Sequence, residues 1–148
     1  MKKVAVFGST GSIGQSTLEV IRNNPNKYQV YALAAFKSVA LMAQQCIEFN
    51  PQYALLVDAQ AAAELKHILQ NTPKCTTQVL VGARELNGLA KADYDILVAA
   101  IVGAAGLQST LAAAQAGKTI LLANKESLVM AGQIFIDEVK KHGAKLLP

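Results

Sequence analysis

The chain has 148 residues, 52% of them hydrophobic and 16% charged, with no tryptophan and a net charge of +4. These proportions fit one globular domain over residues 1–148 and leave no room for a second full domain. The lysines are spread along the sequence and only two arginines occur, so no basic stripe indicates a nucleic-acid partner. The longest apolar runs, such as residues 96–102, are too short to span a bilayer, and we expect a cytoplasmic protein without a membrane partner.

Short apolar runs alternate with amphipathic helical patterns along the chain, which is typical of βαβ units around a parallel sheet. The predicted strands are residues 3–8, 28–35, 53–57, 77–81, 95–100, 119–123 and 144–147. The predicted helices are residues 12–23, 39–49, 59–70, 106–116 and 126–142. Several strands are continuously apolar, as expected when helices cover both faces of a sheet. The sequence therefore predicts an α/β fold with a doubly wound, mostly parallel, Rossmann-like sheet.

The first candidate site is the glycine-rich stretch GSTGSIG between the first strand and the first helix. Gly8 can turn sharply off the strand, Gly11 lets backbone approach a pyrophosphate, and Gly14 lets the helix pack closely on the strand. The first-turn N–H groups, with the hydroxyls of Thr10 and Ser12, then face an anion at the positive end of the helix. The stretch predicts a dinucleotide-binding loop, and the alternative is a turn that only joins strand to helix.

The end of the second strand indicates which dinucleotide binds. A carboxylate that bonds the ribose diol of NAD is expected about 20 residues after the glycines, but the segment there reads Phe36, Lys37 and Ser38. A cation beside a hydroxyl suits a 2′-phosphate, because it offers charge-assisted hydrogen bonds. NADP is therefore favoured over NAD, and the alternative is that Lys37 is a solvated surface lysine.

Two further strand ends carry candidate residues. After the predicted fifth strand, Ile101 and Val102 are placed either to form an apolar wall for nicotinamide or ribose, or to pack in the core. After the sixth strand, Asn124 is placed to cap the next helix and Glu126 to complement its dipole. Lys125 is unfavourable at a helix start, which indicates a bound phosphate or carboxylate, unless it is a tolerated surface lysine.

The histidines and cysteines show no pattern of a metal or nucleophilic site. His67 and His142 have no partner at ligand spacing, and Cys46 and Cys75 form no CxxC pair. We therefore expect ordinary, wholly or partly buried cysteines, with no catalytic residue and no metal ligand in this sequence.

Three stretches together resemble the N-terminal domain of 1-deoxy-D-xylulose 5-phosphate reductoisomerases. They are GSTGSIG at residues 8–14, AAIVGAAGL at residues 99–107 and GKTILLANKESLV at residues 117–129. The first stretch alone also fits semialdehyde dehydrogenases, whereas its combination with LANKES is far more specific. The resemblance covers the whole chain. It implies conversion of 1-deoxy-D-xylulose 5-phosphate to 2-C-methyl-D-erythritol 4-phosphate in non-mevalonate isoprenoid biosynthesis, with NADPH and a divalent metal, Mg²⁺ or Mn²⁺.

The resemblance also implies roles for single residues, with Lys37 near the 2′-phosphate and Lys125 on the substrate. The family usually has Gly-Lys-Asn where this chain has Phe36, Lys37 and Ser38, so we expect Phe36 beside the adenine and Ser38 in place of one amide contact. From the motifs and the resemblance together, the predicted NADPH contacts are Gly8, Thr10, Gly11, Ser12, Ile13, Phe36, Lys37, Ser38, Ile101, Asn124 and Glu126.

The end of the sequence bears on turnover. In the family, the strand that resembles residues 144–147 continues into an Asp-Ser-Glu segment that holds the metal, then a lid and a helical C-terminal region, whereas this sequence ends at Pro148. We therefore expect this chain to bind NADPH without turnover, and the full-length enzyme to be a homodimer. Two alternatives stay open, the cofactor domain of another NADP-dependent reductase and a stand-alone nucleotide-sensing module.

Overall fold

The computed structural model describes residues 1–123 and 126–147, and for residues 126–131 it describes the backbone alone. The strands in these residues are β1 (Lys2–Phe7), β2 (Tyr28–Ala35), β3 (Tyr53–Leu56), β4 (Gln78–Val81), β5 (Ile96–Ala99), β6 (Thr119–Leu122) and β7 (Lys145–Leu147). The helices are α1 (Ser12–Arg22), α2 (Val39–Phe49), α3 (Ala59–Gln70), α4 (Gly82–Leu89), α5 (Gly103–Gln115) and α6 (Glu126–Lys141). None of these helices is both long and apolar enough to cross a membrane.

All the strand pairs are parallel, and the order across the sheet is β4-β3-β2-β1-β5-β6-β7. The chain moves outward from β1 to β4, returns to the other side of β1 at β5, and moves outward again to β7. The strand order therefore reverses between β1 and β5. Ligands of open parallel sheets bind outside the carboxyl ends of the strands at such a reversal. The prediction of a doubly wound, Rossmann-like sheet is confirmed.

The sheet separates two cores, one on each face. Val4 and Val6 of β1 belong to the core under α1, α2 and α3, whereas Ala5 and Phe7 belong to the core under α4, α5 and α6. Successive residues of a strand point to opposite faces. A central strand covered on both faces must therefore be apolar at consecutive positions, which explains why β1 is a continuous apolar run from Val4.

The sequence pattern does not predict α4, and this element is a correction. α4 has eight residues, of which Leu86 and Leu89 are buried, so it is too short to show a hydrophobic period. It starts at Gly82 with a φ of 93° and contains Gly88, and glycines usually mark loops. A crossover is nevertheless required here, because β4 and β5 run parallel and the chain must return to the same end of the sheet.

Element boundaries otherwise agree well with the pattern, except at α5. β2, α2 and α3 have the predicted bounds. α5 begins at Gly103, three residues before the predicted start at Gly106, because the glycines in this stretch indicated a loop. In the structure Gly103 has a φ of 83° and Gly106 is a buried residue of the helix.

The two cysteines are packing residues. Both are free thiols, with Cys46 buried and Cys75 partly buried. Burial raises the pKa of Cys46 to about 12, so this thiol stays protonated at neutral pH and is a poor nucleophile and metal ligand. The prediction of ordinary buried or partly buried cysteines is confirmed.

Candidate nucleotide-binding site

The carboxyl ends of β2, β1, β5 and β6 lie side by side on one edge of the sheet. Backbone hydrogen bonds continue this pairing past the strands. The Ala100 N–H donates to Phe7 O at 2.8 Å, and the Ala123 N–H donates to Ala99 O at 3.0 Å. Each of these strand ends is followed by one of the predicted stretches, and the glycine loop (residues 8–14) follows β1. Stretches that are far apart in sequence therefore begin next to one another.

The glycine loop is tied to the neighbouring elements by its backbone. The N–H groups of Gly8 and Ser9 both donate to Ala34 O of β2, at 2.7 and 3.1 Å. The φ of Gly8 is 95°, and a Cβ there would lie 2.7 Å from Ala100 O of the β5 end, so only glycine fits this turn. From α2, the Gln45 Nε2 donates to Ser9 O at 2.8 Å.

The other two glycines of the loop, Gly11 and Gly14, differ in how closely other atoms approach them. A Cβ on Gly14 would lie 2.1 Å from Gly8 O and 2.6 Å from Ser9 Cα, so α1 packs directly on the loop backbone. A Cβ on Gly11 would meet only Gly8 O, at 3.6 Å, which is an ordinary contact. The φ of Gly11 is −80°, a value that other residues adopt readily. The packing of the described residues therefore requires glycine at position 14 but not at position 11.

The start of α1 is suited to an anion. Gly11 is the N-cap, no side chain caps the helix, and the first turn contains no acidic residue. The Thr10 N–H has no hydrogen-bond partner in the described part of the chain. Gly11, Ser12 and Ile13 are exposed. Unpaired N–H groups at the positive end of a helix form an anion site, and the predicted residues of the loop lie together at this site.

The end of β2 presents Phe36, Lys37 and Ser38 to solvent. Phe36 is 62% exposed, which leaves its ring available to a planar partner. Ser38 is the N-cap of α2, but its hydroxyl makes no capping hydrogen bond. Lys37 forms no salt bridge within residues 1–123 and 126–147. Since β2 pairs with β1, the structure brings this segment beside the glycine loop.

At the end of β5, Ile101 and Val102 differ in exposure. Ile101 is half-buried and packs against the core under α4, α5 and α6, whereas Val102 is 69% exposed. A Cβ on Gly106 would lie 2.0 Å from Ile101 O, so α5 packs on this loop as α1 packs on the glycine loop. Ile101 is therefore partly a core residue, and Val102 is the more exposed of the two.

An apolar groove extends from Ile13 to the carboxyl end of β6. Ile13, at the end of the groove next to the glycine loop, is 47% exposed. The residues that line it are Ile13, Thr17, Val20, Val98, Leu121, Leu122 and Ala123. Of these only Ile13 was predicted as a site residue, because apolar side chains of a strand or helix usually indicate core packing. The groove is an apolar surface next to the glycine loop.

Three predicted side chains lie outside the part of the chain that the structure describes. Asn124 and Lys125 lie outside the described residues. Glu126 is the first residue of α6, and its side chain is not among those described. Their roles on the cofactor and the substrate stay predictions.

Two glutamines that fix the loop were missed by sequence reasoning. The Gln45 Nε2 bond to Ser9 O joins residues 36 positions apart, and the Gln15 Nε2 donates to Thr10 O at 2.9 Å. Glutamine on a helix is usually a solvated residue, so neither position carries a local signal. Burial of Gln45, at 5% exposure, is visible only in the folded chain.

One ion pair joins the two helices that flank the loop. Arg22 of α1 donates hydrogen bonds to the carboxylate of Glu48 of α2 through its Nε and its Nη2, the latter at 2.8 Å. This bond lowers the pKa of Glu48 below its usual range. The pair is at the surface, so its stabilising effect is small, and it links α1 to α2.

Comparison with known proteins identifies relatives along the whole chain. A family model described as 1-deoxy-D-xylulose 5-phosphate reductoisomerase matches residues 4–132. Curated reductoisomerases of that name from Haemophilus ducreyi and Proteus mirabilis are 58% and 53% identical to this chain over 149 aligned residues. Each alignment covers 100% of this chain and 37% of the relative, so the chain spans little more than a third of their length.

Solved structures give the same result. A crystal structure of DOX-P reductoisomerase in complex with NADPH, fosmidomycin and magnesium has a TM-score of 0.94 and 47% identity, covering 100% of this chain and 36% of that chain. The reductoisomerase from Zymomonas mobilis in complex with NADPH has a TM-score of 0.93 and 44% identity, covering 99% of this chain and 38% of that chain. A putative homoserine dehydrogenase from Archaeoglobus fulgidus, at 21% identity and a TM-score of 0.61, shares the fold alone.

The family match covers the stretches that carry the predicted motifs. The matched residues 4–132 include the glycine loop, the ends of β2, β5 and β6, and the start of α6. The chain belongs to the 1-deoxy-D-xylulose 5-phosphate reductoisomerase family.

Proposed function

We propose that this chain binds NADPH at the carboxyl ends of β2, β1, β5 and β6. In this proposal it is the cofactor-binding part of an enzyme that converts 1-deoxy-D-xylulose 5-phosphate to 2-C-methyl-D-erythritol 4-phosphate. The observation that carries the proposal is the glycine at position 11, which the packing of the described residues does not require. A ligand that approaches the loop backbone closely does require it. The relatives solved with NADPH support the choice of ligand.

The pyrophosphate of NADPH is proposed to bind at the start of α1. Unpaired N–H groups lie there at the positive end of the helix dipole, and the unpaired N–H of Thr10 lies just before the helix. Backbone donors are held in place before the ligand arrives, so little entropy is lost on binding. The exposed hydroxyl of Ser12 adds a donor that turns toward either phosphate.

The 2′-phosphate is proposed to bind at Lys37 and Ser38. A hydrogen bond to a charged group contributes about 1.5–3 kcal/mol, and an exposed lysine contributes toward the lower end because water screens it. The unused capping position of Ser38 leaves its hydroxyl as a second donor. The ring of Phe36 lies on the same segment and offers its face to the adenine.

The nicotinamide half is proposed to lie on the other side of the glycine loop. Ile13 and the apolar groove below it offer an uncharged surface, and Ile101 borders the end of β5. Bound NADPH supplies a hydride from its nicotinamide ring. Asn124 and Glu126 are proposed to hold the cofactor and Lys125 to bind an anionic group of the substrate.

Three of the solved relatives contain magnesium. Within residues 1–123 and 126–147, no group of three or more His, Cys, Asp or Glu side chains is arranged to hold a metal ion. These residues do not fit a metal centre, and we derive no step of the reaction through the metal.

Partner and location form the last part of the proposal. We infer from the family alone that the whole protein is a cytoplasmic homodimer that takes no nucleic-acid or membrane partner. Sedimentation equilibrium of the whole protein measures the subunit number. A monomer would refute the dimer without affecting cofactor binding.

Calorimetric titration of this chain with NADPH and with NADH tests the proposed function. We expect NADPH to bind at least about tenfold more tightly, which corresponds to one charge-assisted hydrogen bond. Equal affinities would refute the 2′-phosphate site at Lys37. The absence of binding by both would refute the whole assignment.

A further inference from the structure

The glycine loop depends on a contact from α2 that the sequence does not indicate. The Gln45 Nε2 lies 2.8 Å from the carbonyl oxygen of Ser9. Gln45 is 5% exposed and Ser9 is fully buried, so solvent does not substitute for this donor. A buried carbonyl left without a donor is costly. Gln45 therefore fixes the direction in which the Ser9 carbonyl points.

The direction of this carbonyl determines where the next N–H points. In a trans peptide the C=O and the following N–H point to opposite sides, and no cis peptide occurs in the described backbone. Because Ser9 O is held toward α2, the Thr10 N–H is turned away from α2. This N–H has no partner among the described residues, and the next residue, Gly11, is exposed.

The other end of the same side chain opposes burial of a glutamine at this position. The Gln45 Oε1 is buried and has no hydrogen-bond partner in the part of the chain that the structure describes. An unpaired buried amide oxygen is destabilising. An apolar side chain of similar volume avoids this cost but leaves the buried Ser9 O without its donor. The reason for a glutamine at this position therefore lies in its Nε2 and the loop.

We propose that Gln45 is a positioning residue for the pyrophosphate of the cofactor. It does not contact NADPH, but it holds Ser9 O so that the Thr10 N–H points at the phosphate. This inference rests on the proposed function, because it presumes that the glycine loop binds the pyrophosphate. In this proposal α2 contributes to the site twice. Its N-cap Ser38 lies at the proposed 2′-phosphate position, and its Gln45 supports the glycine loop.

The test compares Gln45→Met with Gln44→Met in the same chain. Methionine keeps the length of the side chain but donates no hydrogen bond. Gln44 is the exposed neighbour of Gln45 on α2, so the control makes the same chemical change outside the buried contact. Each protein is titrated with NADPH by calorimetry, and by NMR with adenosine 2′-monophosphate, which carries a 2′-phosphate but no pyrophosphate.

Gln45→Met is expected to weaken NADPH binding about tenfold, the effect of one hydrogen bond to a phosphate. It is expected to change the affinity for adenosine 2′-monophosphate less than about twofold, because that ligand does not reach the loop. Gln44→Met is expected to leave both affinities unchanged.

Two results for Gln45→Met would overturn the positioning role. One is unchanged NADPH affinity, and the other is an equal loss for both ligands, which indicates a general disturbance. Failure of the unmodified chain to bind NADPH would instead overturn the proposed function, and this inference with it. The two failures are therefore distinguishable.

A second measurement needs no variant and decides the question if Gln45→Met does not fold. In ¹⁵N NMR of the unmodified chain, the side-chain amide hydrogens of Gln45 are expected to exchange far more slowly than those of Gln44. The Gln45 signals are expected to shift with NADPH and not with adenosine 2′-monophosphate. Exchange as fast as that of Gln44, or no shift with NADPH, would overturn the role of Gln45.

Discussion

Two substitutions in the glycine loop, Gly11→Ala and Gly14→Ala, separate what the fold requires from what the ligand requires. At position 11 the new methyl group meets only Gly8 O at 3.6 Å, and the φ of −80° suits alanine. Alanine also restricts the unfolded chain, which favours folding by about 0.4–1 kcal/mol where the backbone conformation is compatible. Alanine is a poorer N-cap than glycine, which opposes this gain, so we expect the free energy of unfolding of Gly11→Ala to be nearly unchanged.

Binding of NADPH by Gly11→Ala is expected to fall sharply. The methyl group occupies the space through which the pyrophosphate approaches the backbone of Thr10 and Gly11. Displacing a phosphate from even one charge-assisted hydrogen bond costs about 1.5–3 kcal/mol, which lowers the affinity about 10- to 100-fold.

Gly14→Ala, in contrast, is expected to lower the stability of the fold. Its Cβ would lie 2.1 Å from Gly8 O and 2.6 Å from Ser9 Cα, more than about 1 Å inside normal contact with backbone atoms that cannot rotate away. Overpacking of this kind costs about 1–3 kcal/mol, and the backbone contact places this case at the upper end. We expect the free energy of unfolding to fall by about 3 kcal/mol.

Urea unfolding followed by circular dichroism and calorimetric titration with NADPH measure the two effects on the same samples. NADPH affinity of Gly11→Ala equal to that of the unmodified chain would refute the close approach of the pyrophosphate. Unchanged stability of Gly14→Ala would refute the packing of α1 on the loop. A loss of stability in Gly11→Ala would show that position 11 is closed in the folded chain.

Three further substitutions or treatments are predicted from the same structure. Lys37→Glu should weaken NADPH about tenfold or more and leave NADH nearly unchanged in calorimetry, because it replaces attraction to the 2′-phosphate by repulsion. Glu48→Gln removes the carboxylate that pairs with Arg22, whose hydrogen bond lowers the pKa of Glu48 from its usual 4.5. In urea unfolding, Glu48→Gln should therefore be less stable than the unmodified chain, and this difference should be largest above pH 4.5. The difference should disappear as the pH falls through the lowered pKa of Glu48. Iodoacetamide at pH 8 should modify Cys75 before Cys46, because Cys46 is buried with a pKa of about 12, and mass spectrometry of the peptides distinguishes them.

The fold was largely predictable because its signals are local. The end of α2 at Phe49 follows from the Asn50 and Pro51 that come after it, and in the structure Asn50 has the left-handed φ of 43° that closes a helix. The α4 helix was not predictable, since eight residues with two buried leucines carry too little pattern. Its existence follows from topology, which requires a crossover between two parallel strands on opposite sides of β1.

The candidate site was predictable only where its residues are adjacent in sequence. The spacing of Gly8, Gly11 and Gly14 indicated the loop. The distances in the structure show that packing requires glycine at positions 8 and 14 but not at position 11. The contact of Gln45 with Ser9 depends on how α2 packs against the loop, and no sequence pattern reports that packing. The same limit applies to the apolar groove, which is made by residues of α1, β5 and β6.

The chemistry along this sheet edge is asymmetric in the way that a dinucleotide is asymmetric. On the β2 side of β1 lie Lys37 and the Ser38 hydroxyl, which makes no capping hydrogen bond, and the N–H groups at the start of α1 follow β1 itself. On the β5 side, the exposed Val102 and the groove below Ile13 are apolar. NADPH carries its three phosphates on the adenosine half and its central bridge, whereas its reduced nicotinamide ring is uncharged. In the proposed complex, one orientation places the phosphates of the cofactor near donors and its uncharged ring near apolar surface. The reverse orientation would bury phosphate against apolar side chains, which is unfavourable.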